Sequence, residues 1–511
     1  MPIVKLDYGG TQFETTVSAG TVVMELVRHF VPSFSFPCGG HHTCGKCRVK
    51  ISGDPKCISS EGTSKPEDAW YLACSSKIQG NCTIHIPYST HGQQIEQNFS
   101  ATLIPGTPLY PGEYGAAVDI GTTTIVAYLF RRGETNPLAV CGESNAQRTF
   151  GSDVLARIVY CDQHSIQPLQ TAVCDQLGQM LIKLCSSAGI APQELSGCCI
   201  TGNTTMLHLL TGLNPHGISV SPFTPQSLFG EVTMLSFTGF PPLPCYLPPC
   251  ISAYIGGDIC CSILASNILH QNQTALLIDV GTNGEIVLCQ NQTLTCCSTA
   301  AGPAFEGACI SCGMQARTGA IGSVWAHDGA LQYTVIGSTA PAIGICGSGF
   351  IDAVYAARQI GLLDRKGRPR KNCAGLPISD SGISLTRKDL NELLLAKAAI
   401  RAGIDTLLDT CDLCAEQIDT ILLCGGFGSS LNVESAIGIG LLPACFSERT
   451  SSIGNAAGAG AAMVLQNRTN VQKLERIYQA ASAVELSATP YFTKQYIASM
   501  FLPRGTERGL L

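Results

Sequence analysis

The chain has 511 residues, which is enough for two to four domains that each bury a hydrophobic core. Its 31 lysines and arginines against 37 aspartates and glutamates give a net charge of −6, a balance that argues against nucleic acid and anionic membrane surfaces as partners. Only 13% of the residues are charged and 54 are glycine, so the composition excludes a disordered chain and favours a compact α/β protein with many loops.

The N-terminal segment and the cysteine content bear on the cellular compartment. MPIVKLDYGG contains no basic stretch followed by an apolar one, and no apolar run of the chain is as long as a membrane span. We therefore expect a cytoplasmic protein. In that compartment the 27 cysteines are expected to be reduced thiols or metal ligands, and their number favours a cell that seldom meets oxygen.

Residues 1–88 predict one small domain. Two short alternating strands, separated by a glycine pair, precede a helix whose apolar residues between Val22 and Phe30 recur at helical spacing. Further strands are expected at residues 47–51 and 82–86.

A glycine-rich loop between the helix and the next strand, PCGGHHTCGKC, contains three cysteines, and a fourth follows in YLACSS. The four are Cys38, Cys44, Cys47 and Cys74. Four thiolates suit a 2Fe–2S cluster, and the glycines allow a backbone that wraps closely around it. A zinc site, a disordered thiol loop and a Rieske-type cluster that would use His41 and His42 are the alternatives. The order of strands, helix and loop resembles the β-grasp fold of 2Fe–2S ferredoxins, with a cysteine spacing closer to adrenodoxin-type than to plant-type members.

Residues 89–114 are polar and then punctuated by proline and glycine, without an apolar period. This composition predicts a linker. If it is flexible, its roughly 26 residues have a root-mean-square span of about 25 to 30 Å, enough for a redox domain to reach more than one docking position. An ordered strap packed on the rest of the protein is an equally open alternative.

From residue 115 onward the pattern becomes strongly α/β and contains a repeated motif. AVDIGTTTIVAYL at 117–129 and LIDVGTNGEIVLC at 277–289 each combine an apolar strand ending in aspartate, a Gly-Thr turn and a second apolar strand. The repeat predicts a duplicated domain with halves at about 115–270 and 271–511 and a cleft between them.

Each hairpin of the repeat carries residues that suit a phosphate group. The glycine lets the backbone approach a phosphate, while the threonine hydroxyls and turn N–H groups can donate to its oxygens. The aspartates can hold Mg²⁺ through water, because hard cations prefer oxygen ligands. The predicted residues are Asp119, Gly121, Thr122 and Thr123 in the first hairpin and Asp279, Gly281, Thr282 and Asn283 in the second.

Two further strands are expected to end at the same cleft. CCITGNTTMLHLLTG predicts a strand and then a helix that begins near Asn203 and points its first N–H groups into the cleft. TILLCGGFG brings Gly425, Gly426 and Gly428 to the end of a buried strand, where a base and ribose could lie against bare backbone. A tight turn without a ligand is the other interpretation of GGFG.

The order of these elements resembles that of the actin, Hsp70 and sugar-kinase superfamily. The resemblance narrows with IGGDICCSILAS (255–266), STAAGPAFEGACISCGMQARTGAI (298–321), PAIGICGSGFIDA (341–353), LAKAAIRAGIDTLL (395–408) and AVELSATPYF (483–492). Together with the N-terminal cluster domain, these stretches are similar to the ATP-dependent reductive activators of corrinoid-dependent methyltransferase systems. The implied fold is an α+β β-grasp ferredoxin domain followed by a duplicated α/β actin-like (RNase H-like) ATPase domain at 115–511.

The resemblance implies an ATPase that transfers an electron from its 2Fe–2S cluster to Co(II) of a corrinoid protein and so restores Co(I). It implies ATP and Mg²⁺ as ligands, an upstream low-potential electron donor and a homodimer as further expectations. Asp258, at the start of the connecting helix, and Glu285, just beyond the second turn, are candidates for orienting the attacking water. A helix cap or a surface role is the alternative for both.

Three other functions remain open at this point. They are an ATP-driven, electron-donating activator of another low-potential enzyme, a redox-sensing small-molecule kinase, and a non-catalytic assembly module. Longer members of the resembled family carry an extra segment between the ferredoxin and ATPase parts, where this chain is expected to have only the short linker. The remaining cysteines, including several adjacent pairs, are expected to pack in the core as small apolar residues.

Overall fold

The structure is a computed structural model of the whole chain. It describes residues 1–8, 10–31, 34, 36, 42, 47–53, 57–60, 70–87, 97–98, 101–307, 310–337, 340–370 and 373–504.

The N-terminal region is a five-stranded sheet with one helix packed on it. Its elements are β1 Ile3–Tyr8, β2 Thr11–Thr16, α1 Val23–Phe30, β3 Arg48–Gly53, β4 Ile58–Ser60, β5 Trp70–Leu72, β6 Ser76–Ile78 and β7 Cys82–Ile86. The sheet order is β2-β1-β7-β3-β5, with β1 and β7 parallel, while β4 and β6 pair separately. The helix buries Val23, Leu26 and Val27, because their spacing places them on one face. This arrangement confirms the predicted β-grasp fold.

Residues 101–113 contain no helix or strand, yet they are packed down. Leu103 and Tyr110 are buried, and the N–H group of Leu109 donates to the carbonyl oxygen of Leu465 at 3.0 Å. Since a segment with buried side chains and fixed backbone bonds has little conformational freedom, the ordered strap is the interpretation that these residues support.

The first half of the larger region is a six-stranded sheet covered by helices. Its elements are β8 Tyr114–Ile120, β9 Thr124–Arg131, β10 Ala139–Ser144, α2 Val154–Gln163, α3 Gln167–Ala188, β11 Leu195–Gly202, α4 Thr204–Thr211, α5 His216–Ser219, β12 Glu231–Leu235, β13 Leu243–Leu247 and α6 Gly257–Ser266. The strand order is β10-β9-β8-β11-β13-β12.

The second half is built on another six-stranded sheet, of order β23-β22-β14-β15-β16-β24, with smaller sheets beside it. Its elements are β14 Ala275–Val280, β15 Gly284–Gln290, β16 Thr293–Thr299, β17 Ala320–His327, β18 Ala330–Val335, β19 Gly344–Ile345, α7 Gly347–Gln359, β20 Gly375–Pro377, β21 Ser384–Thr386, α8 Arg387–Thr410, β22 Thr420–Cys424, α9 Gly425–Gly428, α10 Val433–Ile439, β23 Thr450–Ser452, α11 Ala456–Gln466, α12 Thr469–Ala480, β24 Ala481–Ala483 and α13 Pro490–Ser499. Of the helices in the described ranges, none is both long and apolar enough to cross a lipid bilayer.

The two large sheets repeat one pattern of strand pairing. In each, the strand that ends in the motif aspartate pairs antiparallel with the strand after it and parallel with a later strand, β11 or β22. In register, Thr201 lies opposite Asp119 and Cys424 lies opposite Asp279. The predicted duplicated α/β domain is therefore confirmed, and each aspartate stands beside the loop that follows the neighbouring parallel strand.

The halves are joined by helices α6 and α11, which pack against each other at short range. A Cβ atom on Gly460 would lie 2.2 Å from the carbonyl oxygen of Cys261, so the close approach requires a glycine. Helix α11 also contacts β8, which places the last part of the chain on the sheet of the first half.

The N-terminal region contacts the first half at Arg28 of α1. The Arg28 guanidinium lies over the rings of Phe150 and Tyr160, 5.6 and 5.9 Å from their centroids. Tyr160 belongs to α2, and Arg157, three residues earlier in the same helix, is fully buried. Helix α2 thus contacts the N-terminal region and the interior of the first half.

The surface is less evenly charged than the composition indicates. Arg365, Lys366, Arg368 and Arg370 follow one another within a short stretch, and all four are exposed. The net negative charge hides this local basic segment, so the argument from overall charge against anionic partners does not extend to it.

Candidate active site

A cleft with about 1250 Å³ of atom-free space brings the predicted nucleotide-site residues together. Those that line it are Asp119, Gly121, Thr122, Thr123, Asn203, Asp258, Asp279, Gly281, Thr282, Asn283, Glu285, Gly425 and Gly426. Gly428 does not line the cleft. It is buried at the end of α9, where a Cβ atom would touch the backbone of Leu423 at 3.7 Å.

Four carboxyl groups face one another in the cleft. Burial raises the pKa of Asp119 to about 7 and that of Asp279 to about 6, and the charge of Asp279 adds to the rise at Asp119. Burial, reinforced by the charges of Asp279 and Asp119, raises the pKa of Asp258 to about 8. The pKa of Glu285 lies well above its usual range, first because of burial and then because of Asp279 and Asp258. Neither Asp258 nor Glu285 is an exposed side chain.

This donor set suits a hydrated divalent cation. Among the residues that the structure describes, no three His, Cys, Asp or Glu side chains stand close enough to hold a metal ion directly. Mg²⁺ keeps much of its water and is commonly held by one or two carboxylates together with substrate phosphates. Asp119 and Asp279, one from each half, could hold such an ion through water, and its charge would offset their mutual repulsion.

The hydroxyl groups of both hairpins meet at one carboxylate, Glu306. Thr123 Oγ1 donates to Glu306 Oε2 at 2.5 Å, and Thr282 Oγ1 donates to Glu306 Oε1 at 3.2 Å. Thr122 belongs to a separate contact, in which its Oγ1 accepts a hydrogen bond of 2.9 Å from Asn203 Nδ2. Sequence reasoning did not single out Glu306, although it lies within the stretch 298–321 that carried the family resemblance.

The first hairpin is anchored from behind through its carbonyl groups. Asn145 Nδ2 donates to the carbonyl oxygen of Gly121 at 2.8 Å, and the guanidinium of Arg157 donates to that of Thr122 at 2.5 Å. With the carbonyl oxygens bonded on that side, the hydroxyl groups are left to face the cleft. Neither anchor was predicted, because both partners are distant in sequence.

Asn455 was also missed. It accepts a hydrogen bond from the N–H group of Gly458 at 2.8 Å as the N-cap of α11, and it hydrogen-bonds Asp119, which lowers the pKa of that carboxyl group against the effect of burial. A signal was present, because GNAAG at residues 454–458 places asparagine after glycine at a helix start, as TGNTT does at Asn203.

The glycines of the cleft divide into two kinds. Gly425 has a φ of +84°, and a Cβ atom there would lie 2.1 Å from Asp279 Oδ1, so the protein's own packing demands a glycine. At Gly426 a Cβ atom would meet nothing within 4 Å, and at Gly281 only the carbonyl oxygen of Asn283 at 3.8 Å. Both of these bare positions open onto the cleft, which fits close approach of a nucleotide to the backbone.

The predicted cluster site is described in part. Cys47 and Cys74 are buried, their sulfur atoms are 3.2 Å apart, and the N–H group of Ala73 donates to the carbonyl oxygen of Cys47 at 2.8 Å. Cys38 and Cys44 lie outside the described residues. Two thiols from separate segments that converge in this way fit the ligand set of a 2Fe–2S cluster.

The other cysteines are mostly interior thiols. Cys198, Cys245 and Cys260 are completely buried among apolar side chains. No two cysteines in the described ranges form a disulfide. Burial raises the pKa of Cys250 to about 12, so such a thiol stays protonated and unreactive at neutral pH.

Comparison with protein-family models assigns most of the chain. Residues 7–79 match a model described as a 2Fe-2S iron-sulfur cluster binding domain, residues 114–272 one described as the RACo middle region, and residues 273–508 one described as the C-terminal domain of RACo, the ASKHA domain. The model of the RACo middle region therefore covers the first half of the duplicated domain.

Two relatives and one solved structure agree with these matches. The corrinoid activation enzyme RamQ of Eubacterium limosum is 32% identical over 435 residues, which is 79% of this chain and 72% of that protein. The Co(II) methylated amine-specific corrinoid protein reductase of Methanosarcina barkeri is 30% identical over 261 residues, covering 47% of this chain and 48% of that protein. The structure of a reductive activator for a corrinoid, iron-sulfur protein superposes with a TM-score of 0.70 at 27% identity and covers 98% of each chain.

A β-grasp region with two converging cysteines, a duplicated nucleotide-type cleft and these matches along most of the sequence lead to one assignment. The chain belongs to the family of reductive activators of corrinoid proteins.

Proposed function

We propose that this protein is an ATP-dependent activator that transfers one electron from a 2Fe–2S cluster to the Co(II) form of a corrinoid protein, restoring Co(I) in a methyltransferase system. The observation that carries the proposal is the union, in one chain, of the Cys47–Cys74 pair and a cleft lined by both Asp-Gly-Thr hairpins. A phosphate-binding cleft alone would serve a kinase equally well, and a cluster alone would serve any electron carrier.

The residues divide into two groups by task. Cys38, Cys44, Cys47 and Cys74 hold the cluster, which supplies a one-electron donor with a potential near −400 mV in ferredoxins of the plant type. Asp119 and Asp279 position Mg²⁺ through water, the hairpin threonines donate to phosphate oxygens, and Gly425 and Gly426 leave room for the adenosine.

Asp258 and Glu285 orient the water that attacks the terminal phosphate. Both line the cleft, and Glu285 is fixed by a hydrogen bond of 3.2 Å from Ser298 Oγ to its Oε1. The pKa of about 8 suits Asp258 to this role, because a group that titrates near neutral pH can both accept and return a proton.

ATP supports the reduction through differential binding. Each 59 mV of one-electron shortfall costs about tenfold in the equilibrium constant, so electron transfer to a lower-potential corrinoid needs a second favourable step. A ligand shifts an equilibrium only by its difference in affinity for the two states. In our proposal, ATP binds most tightly to the state of the complex in which the electron is delivered. Hydrolysis of ATP then releases the complex from that state.

Four finer points belong to the same proposal. Mg²⁺ accompanies ATP, an upstream low-potential protein reduces the cluster, the activator works as a homodimer, and it acts in the cytoplasm. The last rests on the absence of disulfides among the described cysteines, since a reducing compartment keeps thiols free.

An anaerobic reconstitution tests the function. Cluster-loaded protein, a low-potential reductant and a corrinoid protein poised as Co(II) are mixed with and without Mg-ATP, and Co(I) is followed by its absorption spectrum. We expect Co(I) to form only when ATP is present. Equal formation without ATP, or none under any condition, contradicts the proposal, and ATP-dependent phosphorylation of a small molecule would point to the kinase alternative.

A further inference from the structure

Glu306 is held in the cleft by the groups that the proposed function assigns to a phosphate. Thr123 comes from the first hairpin and Thr282 from the second, their Oγ1 atoms lie 3.2 Å apart, and each donates to a different oxygen of the same carboxylate. A carboxylate is a planar anion with acceptor oxygens about as far apart as two oxygens of a phosphate group, so the two can occupy the same donors.

Occupation by Glu306 and by a phosphate is mutually exclusive. A threonine hydroxyl has a single proton to donate, and both protons are used by the Glu306 oxygens. A phosphate brought to the same donors would also stand next to a second anion, and like charges at contact distance repel strongly where water is excluded. Glu306 must therefore leave this position before a nucleotide phosphate can take it.

The surroundings of Glu306 provide for such a movement. It lies in a turn between Gly302 and Gly307, each with a φ of +73°, a conformation that glycine adopts without strain. The charge of Glu306 reaches Arg148 behind the first hairpin, where it opposes the lowering of that arginine's pKa by burial. Arg148 is therefore a cation within electrostatic reach of the carboxylate.

The same turn reaches the adenosine side of the cleft. Phe305, next to Glu306, stacks on Phe427 of the GGFG segment with ring centroids 5.1 Å apart and planes at 17°. Phe427 itself lines the cleft. The turn that carries Glu306 therefore also packs against the GGFG segment.

We propose that Glu306 is a built-in substitute for a nucleotide phosphate. In the nucleotide-free protein it bridges the hairpins of the two halves, and the phosphates of an entering nucleotide displace it and take over its two hydroxyl donors. It lowers the affinity of the cleft for phosphorylated ligands by competing for these donors. It also holds the two hairpins together while no phosphate is bound. The inference rests on the proposed nucleotide binding and assigns no catalytic step to Glu306.

The test is a set of calorimetric titrations of the cluster-loaded, full-length protein. The ligands are a non-hydrolysable ATP analogue with Mg²⁺, ADP with Mg²⁺, and adenosine. Glu306→Gln keeps the shape of the side chain and removes its charge. The two threonine hydroxyls then give up their hydrogen bonds to residue 306 more easily. We expect the ATP analogue to bind about tenfold more tightly to Glu306→Gln than to the wild type, with adenosine affinity unchanged.

Two comparisons make the result specific. Glu434→Gln removes the charge of an exposed glutamate that accepts a hydrogen bond from Tyr355 and does not line the cleft, so it should leave every affinity unchanged. In a Thr282→Val background the gain from Glu306→Gln should shrink, because Glu306 and the phosphate then no longer compete for a hydroxyl proton at position 282.

The outcomes separate the inference from the function on which it rests. Unchanged or weaker binding of the analogue to Glu306→Gln, or an equal gain for adenosine, overturns the role of Glu306 while nucleotide binding by the wild type stands. The same is true if Glu306→Gln binds normally but loses turnover, since that behaviour belongs to a catalytic group. A wild-type protein that binds no nucleotide defeats the proposed function as well.

Discussion

The two hairpins of the cleft have the same backbone frame and different chemistry. Both aspartates end a strand that pairs parallel with a later strand, but the loop after that later strand differs. In the first half it brings Asn203, whose side chain bonds Thr122, whereas in the second half it brings Gly425 and Gly426, which have no side chain to contribute. The two halves thus have equivalent backbone positions after the parallel strand. The first carries a hydrogen-bond donor, Asn203, and the second carries bare glycine backbone.

The glycines of the two turns show the same divergence. A Cβ atom on Gly121 would lie 2.7 Å from the carbonyl oxygen of Thr124, so that glycine is required by the hairpin itself. Gly281 has no such neighbour. The first turn is closed by its own packing, while the second leaves open space beside its glycine. Variants in the two halves test how far this difference extends.

The largest effect is expected from Asp119 and Asp279, which lie at equivalent strand ends in the two halves. Asp119→Asn and Asp279→Asn should each lower ATP turnover by about a hundredfold or more, because each removes an anion that, in the proposed site, would position the metal and its water. The visible spectrum of the cluster should stay intact in both. Steady-state ATPase assays and absorption spectra provide the measurement.

Cys74→Ala is the mirror control for that pair. It should abolish the cluster spectrum and leave ATP turnover in place. If either aspartate proves dispensable, the halves do not share one metal; if cluster and turnover are lost together in any of the three variants, the separation of the two sites is wrong.

A stability difference comes next, between two adjacent glycines. Gly425→Ala should lower the free energy of unfolding by about 2 kcal/mol or more, because alanine at a positive φ is strained and its Cβ would clash with Asp279. Gly426→Ala should change it by less than about 0.5 kcal/mol, yet weaken nucleotide binding if the adenosine lies there. Denaturant unfolding and nucleotide titration measure the two quantities, and equal stability of both variants would contradict the assignment of Gly425.

A smaller effect is expected at the helix starts. Asn203 accepts a hydrogen bond of 3.0 Å from the N–H group of Met206 as the N-cap of α4, whereas α9 in the second half begins without a side-chain cap. Asn203→Ala should therefore cost about 1 kcal/mol of stability. Asn203→Asp retains the cap, and should recover stability if the loss is due to capping; failure to recover would place the effect in the bond to Thr122.

The last expected difference lies in how steeply the stability of the two aspartate variants changes with pH. The folded protein holds a proton on Asp119 up to about pH 7 and on Asp279 up to about pH 6, while the unfolded chain releases both near pH 4. Between these limits the folded state binds more protons, so stability decreases as the pH rises. Thermal unfolding from pH 5 to pH 8 should show a flatter profile for Asp119→Asn than for Asp279→Asn, and a steeper profile for Asp119→Asn would reverse the assignment.

The strands and their end residues were predictable because they depend on local pattern. Apolar runs that end in Asp-Gly-Thr specify both the buried strand and the polar turn, and the paired copies of the motif fixed the duplicated fold. Glu306 was not predictable in this way, because its partner Thr123 is 183 residues distant in sequence. Gly428 shows the opposite limit: the glycine run continues in the sequence, but its last member is buried against Leu423 and does not line the cleft.

The predicted linker shows where composition is ambiguous. Proline and glycine interrupt regular structure whether a segment is mobile or packed, so the pattern of residues 89–114 cannot distinguish a strap from a flexible connection. What decides it for the described part is a surface elsewhere in the chain, the backbone of α11 at Leu465 and Gln466.

Helix α2 contacts both the first hairpin of the cleft and the N-terminal region. Arg157 donates a hydrogen bond to the carbonyl oxygen of Thr122 in the turn of the first hairpin. Tyr160, three residues later, lies under the guanidinium of Arg28. A ten-residue helix behaves as a short rigid rod, so a displacement at one of these contacts is felt at the other. Helix α2 therefore forms a direct mechanical link, about one helical turn long, between the Thr122 turn of the cleft and Arg28 of the N-terminal region.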